Sequence, residues 1–440
     1  MESVEPESEP IVSSAPARAL RGLALVCVSL VAIAIAGIVY LHPTATWSTP
    51  QAPRVVSETP GYRVSALDFV DLVTGWIVVD FDSGDYALIH TADGGLSWTR
   101  QFAGAGQGHR HYLKFFDTAV GVIGLVGTAP DLHRTSDGGR TWTTIAMPSV
   151  RGTVVSWSFV DSFFGWALVS GTSADSPSTA YLYRTEDGGF TWVNLGTPAP
   201  APDEAFEVSF SYFTTGWLSS ASSRPYAYKT GDYGETWTRV PLPAPRGGWP
   251  SGGTFMVAVQ PTSGTGVVAS VVFFPTLKGR KGQGATIQDF PPLTVRTFDG
   301  GVPVTYTYAT AIGSRNLGPI PQAQAPNQTR LGTLDNGASW TPITVPSSSG
   351  ALGYSDAADW WWVGSGQWAH SQDGGATWAI PVPIDALDPV PGTLDVLDTR
   401  HGYFADVQGT RPVLEFTDEF GLHWRAIPLP GLAGADQALT

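Results

Sequence analysis

Cysteine is almost absent from this sequence of 440 residues. The only one, Cys27, lies within an apolar N-terminal segment, so the rest of the chain has no thiol with which to form a disulfide bond. Its stability must therefore come from strand pairing and from the packing of side chains.

Positive charge is also scarce. The chain has 24 Lys and Arg against 38 Asp and Glu, a formal net charge of −14. Nucleic-acid binding needs a basic surface that displaces counterions, so this composition argues against a nucleic-acid partner. The only local cluster of bases, Lys278, Arg280 and Lys281, is flanked by glycine and is more typical of a solvated loop than of a site.

Several catalytic motifs are missing. The sequence contains no Gly-x-Ser-x-Gly elbow, no Gly-x4-Gly-Lys phosphate loop and no His-Glu-x-x-His zinc motif. His109 and His111 stand two residues apart and could share one face of a strand as metal ligands, but two exposed loop histidines are the commoner case. We therefore expect no cofactor and no metal.

Glycine, proline and apolar residues, by contrast, are plentiful. Gly (51) and Pro (35) are spread along the whole chain, and 42% of the residues are apolar. This composition is typical of many short strands joined by turns, and it predicts an all-β protein with a large core.

One long apolar run precedes the rest. Residues 22–41 (GLALVCVSLVAIAIAGIVYL) carry no charge and have the length of a membrane-spanning helix. Arg18 and Arg21 lie just before the run, which predicts a single-pass protein of the cell membrane with its N-terminus in the cytoplasm. Its parts would be a cytoplasmic tail (1–21), a transmembrane helix (22–41), a linker (42–60) and an extracytoplasmic remainder. A cleaved signal peptide is the alternative, although residues 41–45 offer a poor cleavage site.

An eight-residue motif, which we call the box, recurs seven times. It begins with Thr or Ser and places Asp third, Gly fifth and Trp eighth. A decayed seventh copy, Thr417 to Trp424, has Glu419 in place of Asp. The six regular copies contain Asp93 and Trp98, Asp137 and Trp142, Asp187 and Trp192, Asp232 and Trp237, Asp335 and Trp340, and Asp373 and Trp378.

The chemistry of the box is that of a hairpin turn. Glycine adopts the positive φ, the Asp carboxylate accepts hydrogen bonds from turn N–H groups and from the Ser or Thr hydroxyl, and Trp packs between neighbouring sheets. One carboxylate per turn is too sparse for a calcium loop. We therefore expect these residues to be structural.

A second motif precedes each box, as in Phe69 to Trp76, and each pair of motifs predicts four antiparallel strands, A to D. The sequence thus predicts a seven-bladed β-propeller over residues 61–430, followed by a tail (431–440). Asp232 and Asp335 are 103 residues apart, which indicates an insertion at about 275–328 with an extra hairpin, Leu293–Phe298 and Val302–Tyr308. An eighth blade is the alternative, because residues 297–301 look like a box without its Trp.

The boxes resemble the Asp-box (BNR) repeat of sialidases, sortilin-type receptors and xyloglucanases. With their preceding F-x-D-x-x-x-G-W hairpins, they are most similar to the photosystem II assembly/stability factor family. This resemblance implies a non-catalytic propeller that binds or assembles proteins at a membrane, with no implication that the partner is a photosystem. The box alone is weak evidence for function, because it serves hydrolases and scaffolds alike.

A glycan-binding or sialidase-like glycoside hydrolase is the alternative function. Such an enzyme needs three arginines, a Tyr/Glu nucleophile pair and an acid/base Asp at the central channel. It usually also has Arg-Ile-Pro near the first blade, and Arg63-Val64 lacks the Ile-Pro. Convergence of three arginines and a Tyr–Glu pair on the central channel would favour the hydrolase over the scaffold.

The predicted topology places A–B turns and boxes on one face of the ring and the B–C and D–A connections on the other. The second face varies most between repeats, and variable loops on a repeating scaffold are where binding residues concentrate. We therefore expect the partner site there, and its candidate residues are His109, Arg110, His111, Arg246, Trp249, Lys278, Arg280 and Lys281.

Overall fold

The computed structural model describes residues 61–432, apart from residues 106–109, 127–130, 147–151, 172–179, 199–203, 246–247, 263–264, 276–292, 296–303, 307–327, 344, 347–350, 365, 385–392 and 409–410. The predicted tail, membrane segment and linker lie outside the described residues. Within these ranges every regular element is a strand, and no helix is long and apolar enough to cross a membrane.

The first half of the described chain forms three four-stranded antiparallel sheets in chain order. Sheet I contains β1 (Tyr62–Phe69), β2 (Gly75–Phe81), β3 (Asp85–Thr91) and β4 (Thr99–Ala105). Sheet II contains β5 (Arg110–Phe115), β6 (Gly121–Val126), β7 (Leu132–Thr135) and β8 (Thr143–Ile145). Sheet III contains β9 (Gly152–Phe159), β10 (Gly165–Gly171), β11 (Ala180–Thr185) and β12 (Val193–Gly196).

Sheet IV has eight strands in two halves. Half IVa contains β13 (Glu204–Phe210), β14 (Gly216–Ser222), β15 (Tyr226–Thr230) and β16 (Thr238–Pro241). Half IVb contains β17 (Gly253–Pro261), β18 (Val267–Pro275), β21 (Gln328–Thr333) and β22 (Thr341–Ile343). The halves join because β14 pairs with β17 through Ser220–Ser222 and Phe255–Val257.

A short hairpin lies between β18 and β21, and two further sheets follow. The hairpin pairs β19 (Leu293–Val295) with β20 (Val304–Tyr306), within the two segments expected to form it. Sheet V contains β23 (Ala351–Tyr354), β24 (Trp360–Gly364), β25 (Gln367–Ser371) and β26 (Val382–Pro383). Sheet VI contains β27 (Asp395–Val396), β28 (Gly402–Gln408), β29 (Arg411–Thr417) and β30 (Arg425–Pro428).

Burial follows the position of each strand in its sheet. The second strands, such as β14 and β24, are buried along their whole length, whereas the residues of the fourth strands β4 and β16 are exposed or half-buried. A strand that is buried on both sides lies between two other sheets, so its sequence does not alternate: β24 is WWWVG, and β14, GWLSSAS, adds only small serines to its apolar residues. Each sheet is therefore covered on both faces near its inner edge.

The sheets pack face to face in a closed ring, a β-propeller. A hydrophobic cluster fills each successive interface, from sheets I and II to sheets V and VI, and a further cluster joins sheet VI to sheet I. Stacked rings repeat at these interfaces: Trp76 lies on Phe115 with centroids 3.4 Å apart, and Trp166 lies on Phe210 at 3.5 Å. At the closing interface Tyr403 stacks on Phe69 at 3.9 Å.

Candidate functional site

The six regular boxes share one set of hydrogen bonds. In sheet III, the Thr185 hydroxyl and the Thr191 N–H donate to Asp187 Oδ1 at 2.9 and 2.8 Å, and the Thr191 hydroxyl donates to Oδ2 at 2.6 Å. The Gly189 N–H donates to Thr185 Oγ1 at 2.8 Å. The same bonds form around Asp93, Asp137, Asp232, Asp335 and Asp373.

These bonds favour the ionised carboxylate. Burial acts to raise the pKa of Asp187, but the bonds from Thr191 and Thr185 outweigh it and leave the pKa lowered. At Asp137 the bonds from Thr141 dominate and lower the pKa to about 2. A carboxylate with both oxygens occupied by its own turn has little capacity left for a ligand.

The box tryptophans pack beneath the turns. Trp142, Trp192 and Trp237 each lie edge-on to the phenylalanine that ends the first strand of the same sheet, with centroids 6.1 to 6.2 Å apart. The indole N–H groups of four box tryptophans donate to the carbonyl oxygen of the fifth box residue, among them Trp98 to Gly95 at 3.1 Å and Trp237 to Gly234 at 3.0 Å. Trp340 and Trp378 occupy the equivalent positions in half IVb and sheet V.

Every box begins at the last residue of a third strand, and its turn is bonded to the A–B turn of the same unit. The N–H of the fourth box residue donates to a carbonyl oxygen of that turn at 2.8 to 3.2 Å in all seven units: Gly94 to Val73, Gly138 to Ala119, Gly188 to Phe163, Tyr233 to Thr214, Asn336 to Thr265, Gly374 to Ala358, and Phe420 to Arg400. Boxes and A–B turns therefore form one face, the turn face. The B–C and D–A connections form the opposite face, the loop face.

Charged side chains connect the inner strands near the turn face. Lys114 Nζ lies 3.1 Å from Asp68 Oδ1, the Phe115 N–H donates to Asp68 Oδ2, and the Phe69 N–H donates to Asp395 Oδ2 at 2.9 Å. The Asp68 carboxylate, and more weakly Asp395, raise the pKa of Lys114 against the opposing effect of burial. These contacts link sheets VI, I and II through their inner strands.

A cluster of ionisable side chains lies between sheets I and II at the loop face. His111 Nε2 is 2.6 Å from Asp80 Oδ1, and the Tyr86 ring lies 4.5 Å from the His111 ring. His133 Nε2 is 2.7 Å from Asp131 Oδ2. Burial, together with the charges of Asp131 and Asp80, raises the pKa of Tyr86. No group of His, Cys, Asp and Glu in the described ranges has the geometry of a metal site.

The predicted binding residues fall in different places. His111 is buried on β5 rather than exposed in a loop, and the backbone of Arg110 precedes it on the same strand. Trp249 packs in the layer between the two halves of sheet IV, where its N–H donates to the Leu242 carbonyl at 3.3 Å. His111 and Trp249 are therefore not brought together. His109, Arg246, Lys278, Arg280 and Lys281 lie outside the described residues.

The inner strands also bear on the hydrolase alternative. Among the described residues, the first strands of the seven units carry two arginines, Arg63 and Arg110. A third arginine on a first strand is not among them, so this part of the chain does not form the arginine triad on its inner strands.

Sequence reasoning missed a feature of the turn face. Of the large apolar and aromatic side chains that are strongly exposed in the described ranges, all but Val193, Ile380 and Val382 lie on A–B turns or boxes. The signal was available in the sixth box position, which the fold leaves exposed in every unit and which is nevertheless large and apolar in three of them. The exposed residues of the turn face are Leu72, Val73, Leu96, Phe163, Phe190, Tyr212, Phe213, Tyr233, Leu334, Phe420 and Leu422.

Neither a protein-family model nor a curated protein matches the chain. Solved structures similar to it include YCF48 bound to D1 peptide (15% identity, TM-score 0.44, 83% of this chain and 92% of that one) and YCF48 from Cyanidioschyzon merolae (15%, 0.41, 83% and 95%). The GH74 enzyme from Niastella koreensis is also similar (13%, 0.32, 84% and 73%). At such identities and TM-scores, these matches carry no information about a partner, ligand or activity of this chain.

Proposed function

We propose that this chain is a single-pass membrane protein whose extracytoplasmic part is a seven-bladed propeller that binds or assembles other proteins without catalysing a reaction. Each half of sheet IV has four strands and its own box, around Asp232 and Asp335, which supports counting the halves as two blades. The six regular box aspartates are occupied by their own turns, which supports a structural role for the boxes.

We place the partner site on the loop face, and one observation carries this proposal. Strands β18 and β21 pair without a break from Val267 with Thr333 to Val272 with Gln328, so the chain leaves and re-enters the loop face around residues 276–327. The chain also enters β1 at this face, at Tyr62. The first described strand therefore begins on the same side of the ring as the two strand ends that flank the insertion.

The test replaces residues 276–327 with a short Gly/Ser turn in the full-length, epitope-tagged chain. Because β18 and β21 are adjacent antiparallel strands, a tight turn can join them without disturbing the sheet. The matched control replaces residues 172–179, which connect β10 and β11 on the same face. After crosslinking in cells and purification, we expect the control to capture the same proteins as the wild type and the insertion variant to lose them.

An unchanged set of captured proteins in the insertion variant would refute the assignment of the partner site. The glycoside hydrolase alternative makes a different prediction, because the purified wild-type chain would then release sugar from sialylated or xyloglucan oligosaccharides. Turnover of either substrate would show that the chain is an enzyme and would refute the non-catalytic function proposed here.

A further inference from the structure

Five exposed aromatic residues lie on the neighbouring turns of sheet III and half IVa, and we call this set the aromatic patch. They are Phe163, Phe190, Tyr212, Phe213 and Tyr233, and their residues are between 39% and 58% exposed. The Gly188 N–H bond to the Phe163 carbonyl joins the two turns of sheet III, and the Phe164 and Phe213 rings, 4.9 Å apart, join sheet III to half IVa. Exposed apolar surface of this kind, rimmed by polar residues, marks interaction sites.

The fold does not require aromatic residues at these positions. Phe190 is the sixth residue of its box, and none of the equivalent exposed positions is aromatic: they are occupied by Leu96, Arg140, Glu235, Ala338, Ala376 and Leu422. The geometry of the box therefore does not by itself account for a phenylalanine at position 190.

Tyr233 is unfavourable for the turn that contains it. It is the fourth residue of its box, and it has a φ of 64°, in the left-handed region where four other boxes place glycine. A bulky side chain adopts this conformation at a cost in free energy that glycine does not bear. The Tyr233 ring lies against the Arg184 guanidinium, 5.4 Å from its centroid, at the edge of the patch.

The rim of the patch is acidic. Arg184 lies between two largely exposed carboxylates, with Nη2 2.9 Å from Glu186 and Nη1 3.5 Å from Glu235, so one negative charge is left over. Arg134, beside Gly188, and Lys229, whose Nζ donates to the Asn336 carbonyl at 2.8 Å, are further cations near these turns. A net negative charge remains, because these three cations stand beside turns that carry five carboxylates: Asp161, Glu186, Asp187, Asp232 and Glu235.

We propose that this patch binds a segment of a partner protein in which aromatic or aliphatic side chains alternate with Lys or Arg. The aromatic rings would pack against the apolar side chains, and the acidic rim would attract the bases. A second copy of this chain is disfavoured because the same acidic rim would meet itself, and an anionic lipid surface is disfavoured for the same reason. This site lies on the opposite face from the partner site proposed above and does not depend on it.

The binding test uses the full-length chain and a fluorescein-labelled twelve-residue peptide in which Phe and Trp alternate with Lys and Arg. Two comparison peptides replace the bases with Glu or the aromatic residues with Ser. We expect saturable binding of the first peptide alone. Phe163→Ser with Phe190→Ser should weaken it about tenfold or more. The matched control, Leu96→Ser with Leu422→Ser at equivalent box positions of sheets I and VI, should bind as the wild type does.

A second variant separates binding from folding. Tyr233→Gly introduces the residue type of four other boxes. We therefore expect this variant to keep or raise the urea midpoint of unfolding and to bind the peptide more weakly. The proposal would be overturned if the Phe163/Phe190 variant bound the basic peptide as tightly as the wild type does. It would also be overturned if the wild type bound the Glu-containing peptide as tightly as the basic one. Two other results would overturn it as well. One is a wild-type dimer that the Phe163/Phe190 variant no longer forms, and the other is binding of the wild type to phosphatidylcholine vesicles but not to the peptide.

Discussion

Replacement of Asp187 by alanine tests the structural role of the boxes most directly. The substitution removes three hydrogen bonds of 2.6 to 2.9 Å, from Thr185 and Thr191, and each such bond contributes about 0.5–1.5 kcal/mol. The freed donors lie near the surface and can bond to water, and the bond from Gly189 to Thr185 remains, so the full sum is not lost. We expect the free energy of unfolding to fall by about 1–2 kcal/mol.

The assay is urea unfolding followed by tryptophan fluorescence, and the seventh box provides the control. Glu419 occupies the aspartate position there, and its carboxylate lies 3.9 Å from the exposed His423. His423 stands where Thr191 stands in sheet III, so the hydroxyl that bonds to Asp187 has no counterpart in this box. Glu419→Ala should therefore leave the urea midpoint almost unchanged. Equal stability of Asp187→Ala and the wild type, or an equal loss in both variants, would refute the reasoning. Partner capture by Asp187→Ala should survive at permissive temperature.

Three further outcomes are expected. Folding lowers the pKa values of the six regular box aspartates, to about 2 for Asp137 and Asp335. Their stabilising effect is therefore present above pH ~4 and is lost as the pH falls towards 2. Urea midpoints measured from pH 6 to 2 should decrease in this window. Trp166→Ala removes a fully buried ring and its bond to the Tyr233 carbonyl, and should cost about 3–5 kcal/mol by the same unfolding assay. Protease added to intact cells should cleave in the linker and release the propeller while an epitope on residues 1–18 stays protected; release without protease would indicate a cleaved signal peptide instead.

Strand order was predictable from the sequence because its determinants are local. The chemistry of a box lies within eight residues, and each box begins where a third strand ends, as Thr185 ends β11. The A–B turns are equally local, since Asp161 accepts the N–H groups of Phe163 and Phe164 from two and three residues away. Repetition of these two turns is sufficient to order four strands in each unit.

Long-range contacts were not predictable in the same way. The pairing of Ser220–Ser222 with Phe255–Val257 joins two units into one sheet, and no turn signal marks it. His111 is buried, and its polar partner, Asp80, comes from a different sheet and 31 residues earlier in the chain. The aromatic patch combines turns of neighbouring units, so a single repeat does not show it.

The closing interface gives the propeller a seam. Sheets I and VI exchange no strand, and the Tyr62 hydroxyl donates to the Pro430 carbonyl at 2.7 Å across 368 residues of chain. Both ends of the described part of the chain lie at this interface, so no connection of the described chain crosses it. A mechanical pull on residue 61 would load this joint before any other. A circular permutant that links residues 61 and 432 and opens the chain at another D–A connection would make the joint covalent and resist such a pull there.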